Sequence, residues 1–152
     1  MSTVAPFTPS IAAMYQDALL AHHRAPLNRR VIEAPSASGA RKNPVCGDEI
    51  TVMLSLEAGH VHDVAFTGRG CSISTASASM MTDAVRGLAV PEALALADAV
   101  DRMLHASGAA TCGETALPGP LTPLLGVAPF AGRHGCAMLP WQALRDALTG
   151  KR

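Results

Sequence analysis

The sequence predicts an α+β fold, a small antiparallel sheet of about three strands packed against about five helices. One observation is a hairpin pattern near the middle of the chain: apolar residues alternate along EITVMLSLE and, after a short turn, along HVHDVAFTG. The other is apolar residues at helical spacing before and after this hairpin. Strands grouped in one part of the chain and helices in the rest are typical of the α+β class.

The first helix is predicted from a start signal at Thr8-Pro9 to a stop at Ala25-Pro26, because a residue before proline avoids the α conformation. Its apolar face comprises Ile11, Met14, Ala18 and Leu19. A short strand is predicted near Val31-Ile32. The segment that follows, PSASGARKNPVCGD, is predicted to be a loop.

The two hairpin strands each have one apolar face. The residues predicted to share these faces are Ile50, Val52, Leu54 and Leu56 in the first strand and His62, Val64 and Phe66 in the second. After Gly70 the period becomes helical, and further helices are predicted over Val90–His105 and, briefly, in LTPLLGV. The last helix is predicted to begin near Leu139, because Pro140 is disfavoured deep inside a helix. Its predicted buried stripe is Trp141, Leu144 and Leu148.

Length and composition indicate a single globular domain over residues 1–152. Apolar residues make up 49% of the chain and charged residues 16%, which excludes a disordered protein. A net charge of zero with 3% aromatic residues argues against nucleic-acid binding, which needs a basic face and stacking rings. Residues 22–42 are locally basic; a solvated face and a surface for an acidic protein partner both fit this segment.

The N-terminal segment MSTVAPFTPS has neither the basic start nor the apolar stretch of a signal peptide. No segment approaches the roughly 18 apolar residues that span a bilayer. We therefore expect a cytoplasmic protein with no membrane partner. Disulfides are disfavoured in the cytoplasm, so cysteines there more often bind metal or react.

The chain has four cysteines, none of them in a CxxC pair. Cys46 lies in the predicted loop before the hairpin, Cys71 where the second strand gives way to a helix, and Cys136 a few residues ahead of the last helix. Ends of elements are where side chains from distant segments converge, and helix N-termini favour thiolates. Each cysteine taken alone also fits as buried core filler. Asp48 could add an oxygen ligand, and three thiolates with one carboxylate could complete a tetrahedral zinc site.

Three segments taken in order carry a resemblance to a known family. They are NPVCGDEI, GRGCSISTASASMMT and GCAMLPWQAL. Together they resemble the SufU-type proteins of iron–sulfur cluster assembly, within the superfamily of IscU-like and NifU N-terminal domains. The resemblance extends over nearly the whole chain and implies the family's fold, a small sheet packed against helices.

This resemblance implies a metal-binding quartet of Cys46, Asp48, Cys71 and Cys136. In the SufU branch the quartet holds Zn²⁺, and the protein accepts sulfur from a pyridoxal-phosphate cysteine desulfurase of the SUF type and passes it on to a downstream cluster-assembly scaffold. In the scaffold branch the same residues hold a transient iron–sulfur cluster. The SufU branch would make this chain a zinc-dependent sulfurtransferase.

Two features favour the SufU branch. Between Cys71 and Cys136 lie 64 residues, more than in the scaffold branch, and the stretch from about 107 to 128 resembles the insertion of SufU proteins. The scaffold branch has a histidine immediately before its third cysteine, where this chain has Gly135. Arg133 matches an arginine of SufU-type sequences and is expected to balance the charge of the site. His134 is expected to be an ordinary surface residue, although it could turn toward the site.

Cys46 is the expected sulfur acceptor, because it lies in a loop beside Gly47 whereas Cys71 is fixed at a strand–helix junction. Cys112, in the insertion, is expected to be a loop thiol; the alternative is that it replaces Asp48 as a ligand. Two other functions stay open at this point. One is a non-enzymatic scaffold for an iron–sulfur cluster, and the other is an adaptor domain with a purely structural zinc.

Overall fold

The computed structural model describes residues 11–105 and 117–150. In chain order the elements are α1 (Ile11–Arg24), β1 (Ala37–Lys42), β2 (Glu49–Glu57), β3 (His60–Arg69), α2 (Ser72–Val85), α3 (Val90–His105) and α4 (His134–Thr149). Two 3-10 segments, Gly119–Gly126 and Ala131–Arg133, precede α4. The strands form one antiparallel sheet in the order β1-β2-β3. The predicted α+β class is confirmed.

A bulge in the hairpin changes which residues of β3 are buried. Opposite β2, the register runs from Glu49↔Arg69 to Ser55↔Asp63 and then jumps to Leu56↔Val61, which leaves His62 without a partner. An extra residue on one strand reverses the alternation of side chains beyond it. Val61 is therefore fully buried and His62 is exposed, against the prediction that His62 would share the inner face.

The core lies between the sheet and two helices. α4 packs on β1 and β2, while α2 packs on β3 and on α4; α1 covers α2, and α3 covers α4. Nearly every side chain of α2 from Ser74 to Val85 is buried, which its Ser and Ala residues permit because they occupy so little space. Ser77 joins the two central helices: it donates to the Ala137 carbonyl at 2.6 Å and accepts from Trp141 Nε1 at 3.1 Å. As predicted, Trp141 belongs to the core.

The strand predicted near Val31-Ile32 was wrong. Among the described residues between α1 and β1, Arg29 makes a single isolated bridge to β3, with Phe66, and Val31 is 65% exposed. The third strand is β1, inside the segment predicted to be a loop. Its sequence, ASGARK, lacks the apolar alternation of a half-buried strand. The contact of β1 with α4 depends instead on Gly39, which has no side chain. A Cβ at Gly39 would lie 2.3 Å from the Ala143 carbonyl oxygen.

The start predicted for the last helix was also wrong, since α4 begins at His134 rather than near Leu139. Pro140 lies in the seventh position, where it cannot donate to the carbonyl one turn back. The neighbouring Ala137 carbonyl accepts the hydrogen bond from Ser77, so a tertiary contact satisfies one backbone group of this turn. As a result Cys136 lies inside the first turn of α4 instead of ahead of it.

The helix α1 ends at Arg24, as Ala25-Pro26 predicted, while its predicted start signal at Thr8-Pro9 lies outside the described residues. Leu19 is buried but Met14 is 55% exposed. The next residue, Tyr15, packs at Gly126, where a Cβ would come within 2.9 Å of Tyr15 Cβ. Among the described residues, none of the helices is both long enough and apolar enough to cross a membrane.

Candidate metal centre

Cys46 lies at the tip of the tight connection between β1 and β2. The Asn43 N–H donates to the Asp48 carbonyl at 2.8 Å, and the Gly47 N–H donates to the Asn43 carbonyl at 2.7 Å. Asn43 Oδ1 also accepts from the Val45 N–H at 2.9 Å. Gly47 has φ +79°, which a glycine adopts without strain. These bonds close a compact loop that leaves the Cys46 thiol exposed.

Asp48 and Cys71 meet at the N-terminus of α2. Cys71 is the N-cap residue of that helix, and its N–H donates to Asp48 Oδ2 at 3.1 Å. The Ser74 hydroxyl donates to the same oxygen at 2.7 Å. Gly70 leaves space for this arrangement, since a Cβ there would lie 2.9 Å from Ser74 Cβ and 3.5 Å from Asp48 Oδ2. The predicted position of Cys71 at a strand–helix junction is confirmed.

Cys136 approaches from the opposite side, in the first turn of α4, and is only 6% exposed. The preceding residue, Gly135, lies against the loop that carries Cys46. A Cβ at Gly135 would come within 3.2 Å of Asn43 Nδ2. The glycine therefore lets the loop and the helix approach closely, and this contact holds Cys46 near Cys136.

These segments bring three predicted ligands together. The Cys46 Sγ, a carboxylate oxygen of Asp48 and the Cys136 Sγ all lie within 4.8 Å of one another. Cys71 does not join this set at that distance; its Sγ lies 3.5 Å from the Ser74 hydroxyl. Cys71 is nevertheless close enough to raise the pKa of Cys136, so all four predicted ligands occupy one end of the sheet.

The electrostatics of the cluster differ between its acid and its buried thiol. Burial by itself raises the pKa of Asp48, but hydrogen bonds from Ser74, the Cys71 N–H and the two nearby thiols outweigh it, and the pKa is lowered. For Cys136, burial raises the pKa of the thiol to about 12, assisted by the hydrogen bond with Cys71 and by the charges of Cys46 and Asp48. Asp48 is thus ionised at neutral pH, while Cys136 keeps its proton.

This donor set fits a thiophilic divalent cation. Three thiols and one carboxylate supply the number and the kind of ligands found in tetrahedral zinc sites. The raised pKa of Cys136 shows that negative charge is costly in this cluster, and a bound cation removes that cost by favouring the thiolate. The residues present therefore suit zinc.

Arg133 and His134 lie just before Cys136, yet neither contacts the cluster through a hydrogen bond or ion pair within the described residues. Arg133 is exposed and ends the second 3-10 segment. Its charge-balancing role stays a prediction. His134 Nε2 lies 2.7 Å from the Ala128 carbonyl, and its ring meets His105 edge to face at 5.2 Å. Cys112 lies outside the described residues.

Two residues of the site were missed by sequence reasoning. Asn43 organises the Cys46 loop, and Ser74 holds Asp48. Ser74 had a detectable signal, because a residue three places after an N-cap lies one turn along the helix and close to the cap. Asn43 had no sequence signal beyond the turn preference of asparagine, because its contact with Gly135 joins segments far apart in the chain.

A three-stranded sheet backed by helices, with thiols converging at one of its ends, defines a small thiol-rich domain with a candidate metal centre. Residues 14–118 match the family described as the NifU-like N terminal domain. The chain belongs to this family, and the resemblance to its IscU and SufU members that the sequence predicted is confirmed.

Three relatives are informative. Over 143 residues the chain is 34% identical to the zinc-dependent sulfurtransferase SufU of Bacillus subtilis, covering 94% of this chain and 95% of that protein. It is 44% identical over 109 residues to the iron–sulfur cluster assembly scaffold protein IscU of Streptococcus pyogenes, covering 70% of this chain but 65% of that protein. A crystal structure of a putative SUF-system scaffold protein from Fervidobacterium islandicum superposes with a TM-score of 0.78 at 26% identity, covering 91% and 99% of the two chains.

Proposed function

We propose that this protein serves iron–sulfur cluster biogenesis as a zinc-dependent sulfurtransferase, which accepts persulfide sulfur from a SUF-type cysteine desulfurase. The observation that carries the proposal is an exposed thiol, Cys46, on a loop tip within 4.8 Å of a buried thiol and a carboxylate. A thiol that acts on a second protein must be accessible, and its thiolate must be stabilised. The similarity to the Bacillus sulfurtransferase over 94% of the chain supports the same function.

Cys46, Asp48, Cys71 and Cys136 would hold the zinc. When bound, zinc supplies a positive charge that keeps thiols ionised near neutral pH without taking part in redox chemistry. The chain itself fixes three of the donors rigidly. Asp48 is held by α2, Cys71 by the helix cap and Cys136 by the first turn of α4. Cys46 is the exposed donor on a loop, so it can leave the cluster at the lowest structural cost.

The transfer is an ordinary thiol exchange. The Cys46 thiolate attacks the outer sulfur of the desulfurase persulfide, a new bond forms between Cys46 Sγ and that sulfur, and the old S–S bond breaks. The desulfurase sulfur leaves as a thiolate, and the transferred sulfur keeps its proton. The product is a persulfide on Cys46, whose outer sulfur then passes to a downstream cluster-assembly scaffold. Arg133, which is exposed and lies three residues before Cys136, would attract the anionic reactants.

The test uses the zinc-loaded protein, a pyridoxal-phosphate cysteine desulfurase of the SUF type and L-cysteine. We expect mass spectrometry after alkylation to find one added sulfur atom on Cys46, and alanine production to rise when the protein is present. The Cys46→Ala variant should keep its fold and lose both effects, while Cys112→Ala, which alters a thiol outside the predicted quartet, should keep both. If the Cys46→Ala variant still raised alanine production and still acquired the sulfur atom, this function would be refuted.

A scaffold for a transient iron–sulfur cluster is the second candidate. The streptococcal relative, which is 44% identical, is named as a scaffold, and three thiols with a carboxylate also suit iron. Metal and acid-labile sulfide analysis of protein purified without chelator separates the two functions. About one zinc per chain without sulfide supports sulfur transfer, whereas iron with a matching amount of sulfide supports the scaffold.

A further inference from the structure

We infer that Ser74 is a positioning residue of the metal centre, which orients the Asp48 carboxylate for coordination through a hydrogen bond from its hydroxyl. The inference rests on the zinc site of the proposed function and extends it to a residue outside the quartet. Ser74 is fully buried, and its hydroxyl lies 2.7 Å from Asp48 Oδ2. The two residues are 26 positions apart, so this contact is a product of the fold rather than of the local helix.

Two hydrogen bonds hold the Asp48 carboxylate through one of its two oxygens. The Ser74 hydroxyl and the Cys71 N–H both donate to Oδ2, at 2.7 and 3.1 Å. Neither of these two donors reaches Oδ1. Two bonds to one oxygen restrict rotation of the carboxylate and lower the entropy that its ordering by a metal would cost. Oδ1 is thereby presented as the coordinating oxygen.

The hydroxyl proton of Ser74 can serve only one acceptor at a time. Its two candidate acceptors are Asp48 Oδ2 at 2.7 Å and Cys71 Sγ at 3.5 Å, and the shorter distance assigns the proton to the carboxylate. The serine oxygen remains free to accept from the Cys71 thiol.

Two other buried serines of α2, Ser77 and Ser79, have structural partners instead. Ser77 links α2 to α4, and Ser79 accepts from the Leu27 N–H at 2.8 Å and pairs with His22 Nδ1 at 2.7 Å. Ser74 alone of these three contacts a predicted ligand. Ser79→Ala is therefore a matched control for Ser74→Ala, because it removes a buried hydroxyl from the same helix at a place that faces α1.

The experiment measures zinc affinity by competition with a chromophoric chelator, and the ligand field by the absorption of the Co²⁺-substituted protein. A hydrogen-bonded outer partner of a metal ligand is worth about 10–100-fold in affinity. We expect Ser74→Ala to weaken zinc binding by that factor and to shift the Co²⁺ d–d bands while the thiolate charge-transfer band remains. Ser79→Ala should match the wild type in both measurements.

A double-mutant cycle shows whether Ser74 acts through Asp48. In an Asp48→Ala background, Ser74→Ala should have no further effect on zinc affinity. An undiminished effect in that background, or wild-type affinity and spectrum for folded Ser74→Ala, would overturn the inference alone. A wild-type chain that binds neither zinc nor cobalt would instead overturn the proposed function and the inference with it.

Circular dichroism in the presence of chelator checks the fold of each variant. If Ser74→Ala does not fold, Ser74→Thr, which keeps the hydroxyl, replaces it as the test. The threonine variant should retain zinc affinity within a few-fold of the wild type, because the donor to Asp48 is preserved. A threonine variant that is folded but has lost zinc affinity by 10-fold or more would contradict the inference.

Discussion

Zinc binding at neutral pH should release close to three protons per ion from this chain. Free cysteine thiols are largely protonated at pH 7, whereas metal ligation requires thiolates. Three of the four predicted ligands are thiols, and Cys136, whose pKa is raised to about 12, retains its proton most strongly. Asp48 should contribute no proton, because the lowered pKa of its carboxyl leaves it ionised at pH 7.

The structure sets the size of the effect. The pKa of Cys136 rises from an ordinary value of 9.0 to about 12, which corresponds to about 4 kcal/mol at about 1.36 kcal/mol per unit. Zinc binding must offset this free energy for Cys136 to bind as a thiolate. Since three protons leave on binding, the apparent affinity should increase with pH, about a thousandfold per unit while the thiols of the metal-free protein remain protonated.

Isothermal titration calorimetry in buffers of different ionisation enthalpy counts the released protons. Cys136→Ala should release one proton fewer than the wild type, whereas Asp48→Ala should release the same number with lower affinity. Cys112→Ser should leave both quantities unchanged. Two or fewer protons in the wild type would refute the ligand set of three thiolates, and one proton fewer in Asp48→Ala would refute the pKa argument.

Two further predictions concern the parts of the fold that carry the site. Gly68 has φ +137°, and a Cβ there would lie 2.0 Å from a carbonyl oxygen of the adjacent strand, so Gly68→Ala should cost about 3 kcal/mol and lower Tm by roughly 6–12 °C. Gly59→Ala, with φ +78° but open space, is the control and should cost about 1 kcal/mol; equal losses would contradict the steric argument. Arg41→Ala removes both bonds to the buried Asp146, which should lower the free energy of urea unfolding by about 1.5–3 kcal/mol. Lys42→Ala, on the surface beside it, should cost less than about 1 kcal/mol, and similar values for the two variants would show that burial of the carboxylate is unimportant.

The sequence predicted the elements whose apolar pattern is strong. The β2–β3 hairpin, α2 and α3 follow from periodicity, and Trp141 is buried as its stripe indicated. The strand β1 could not be predicted, because its contact with α4 depends on the absence of a side chain at Gly39. The start of α4 was misplaced because a proline is expected near the start of a helix, whereas Pro140 lies in the seventh position of α4.

For the candidate site, the sequence predicted the donor residues but not the contacts that support them. Cys46, Asp48 and Cys136 could be identified from motifs, and the structure brings them together. The contacts that hold them in place were not visible, since Asn43 against Gly135 and Ser74 against Asp48 each join segments that only the fold brings together. Donor residues keep a sequence signature because their chemistry is specific. Their supporting residues are common types whose role depends on the contact they make.

The wide spacing of the cysteines determines when each predicted ligand becomes available during synthesis of the chain. Cys46, Asp48 and Cys71 are all placed by elements that end before residue 86, whereas Cys136 belongs to the last helix. At a translation rate of about 5–20 residues per second, the 64 residues between Cys71 and Cys136 take about 3–13 s to synthesise. During that interval the emerging chain carries two thiols and a carboxylate without their buried partner. The complete set of four predicted ligands can therefore exist only after Cys136 has been synthesised, and zinc bound earlier would find at most three of these donors.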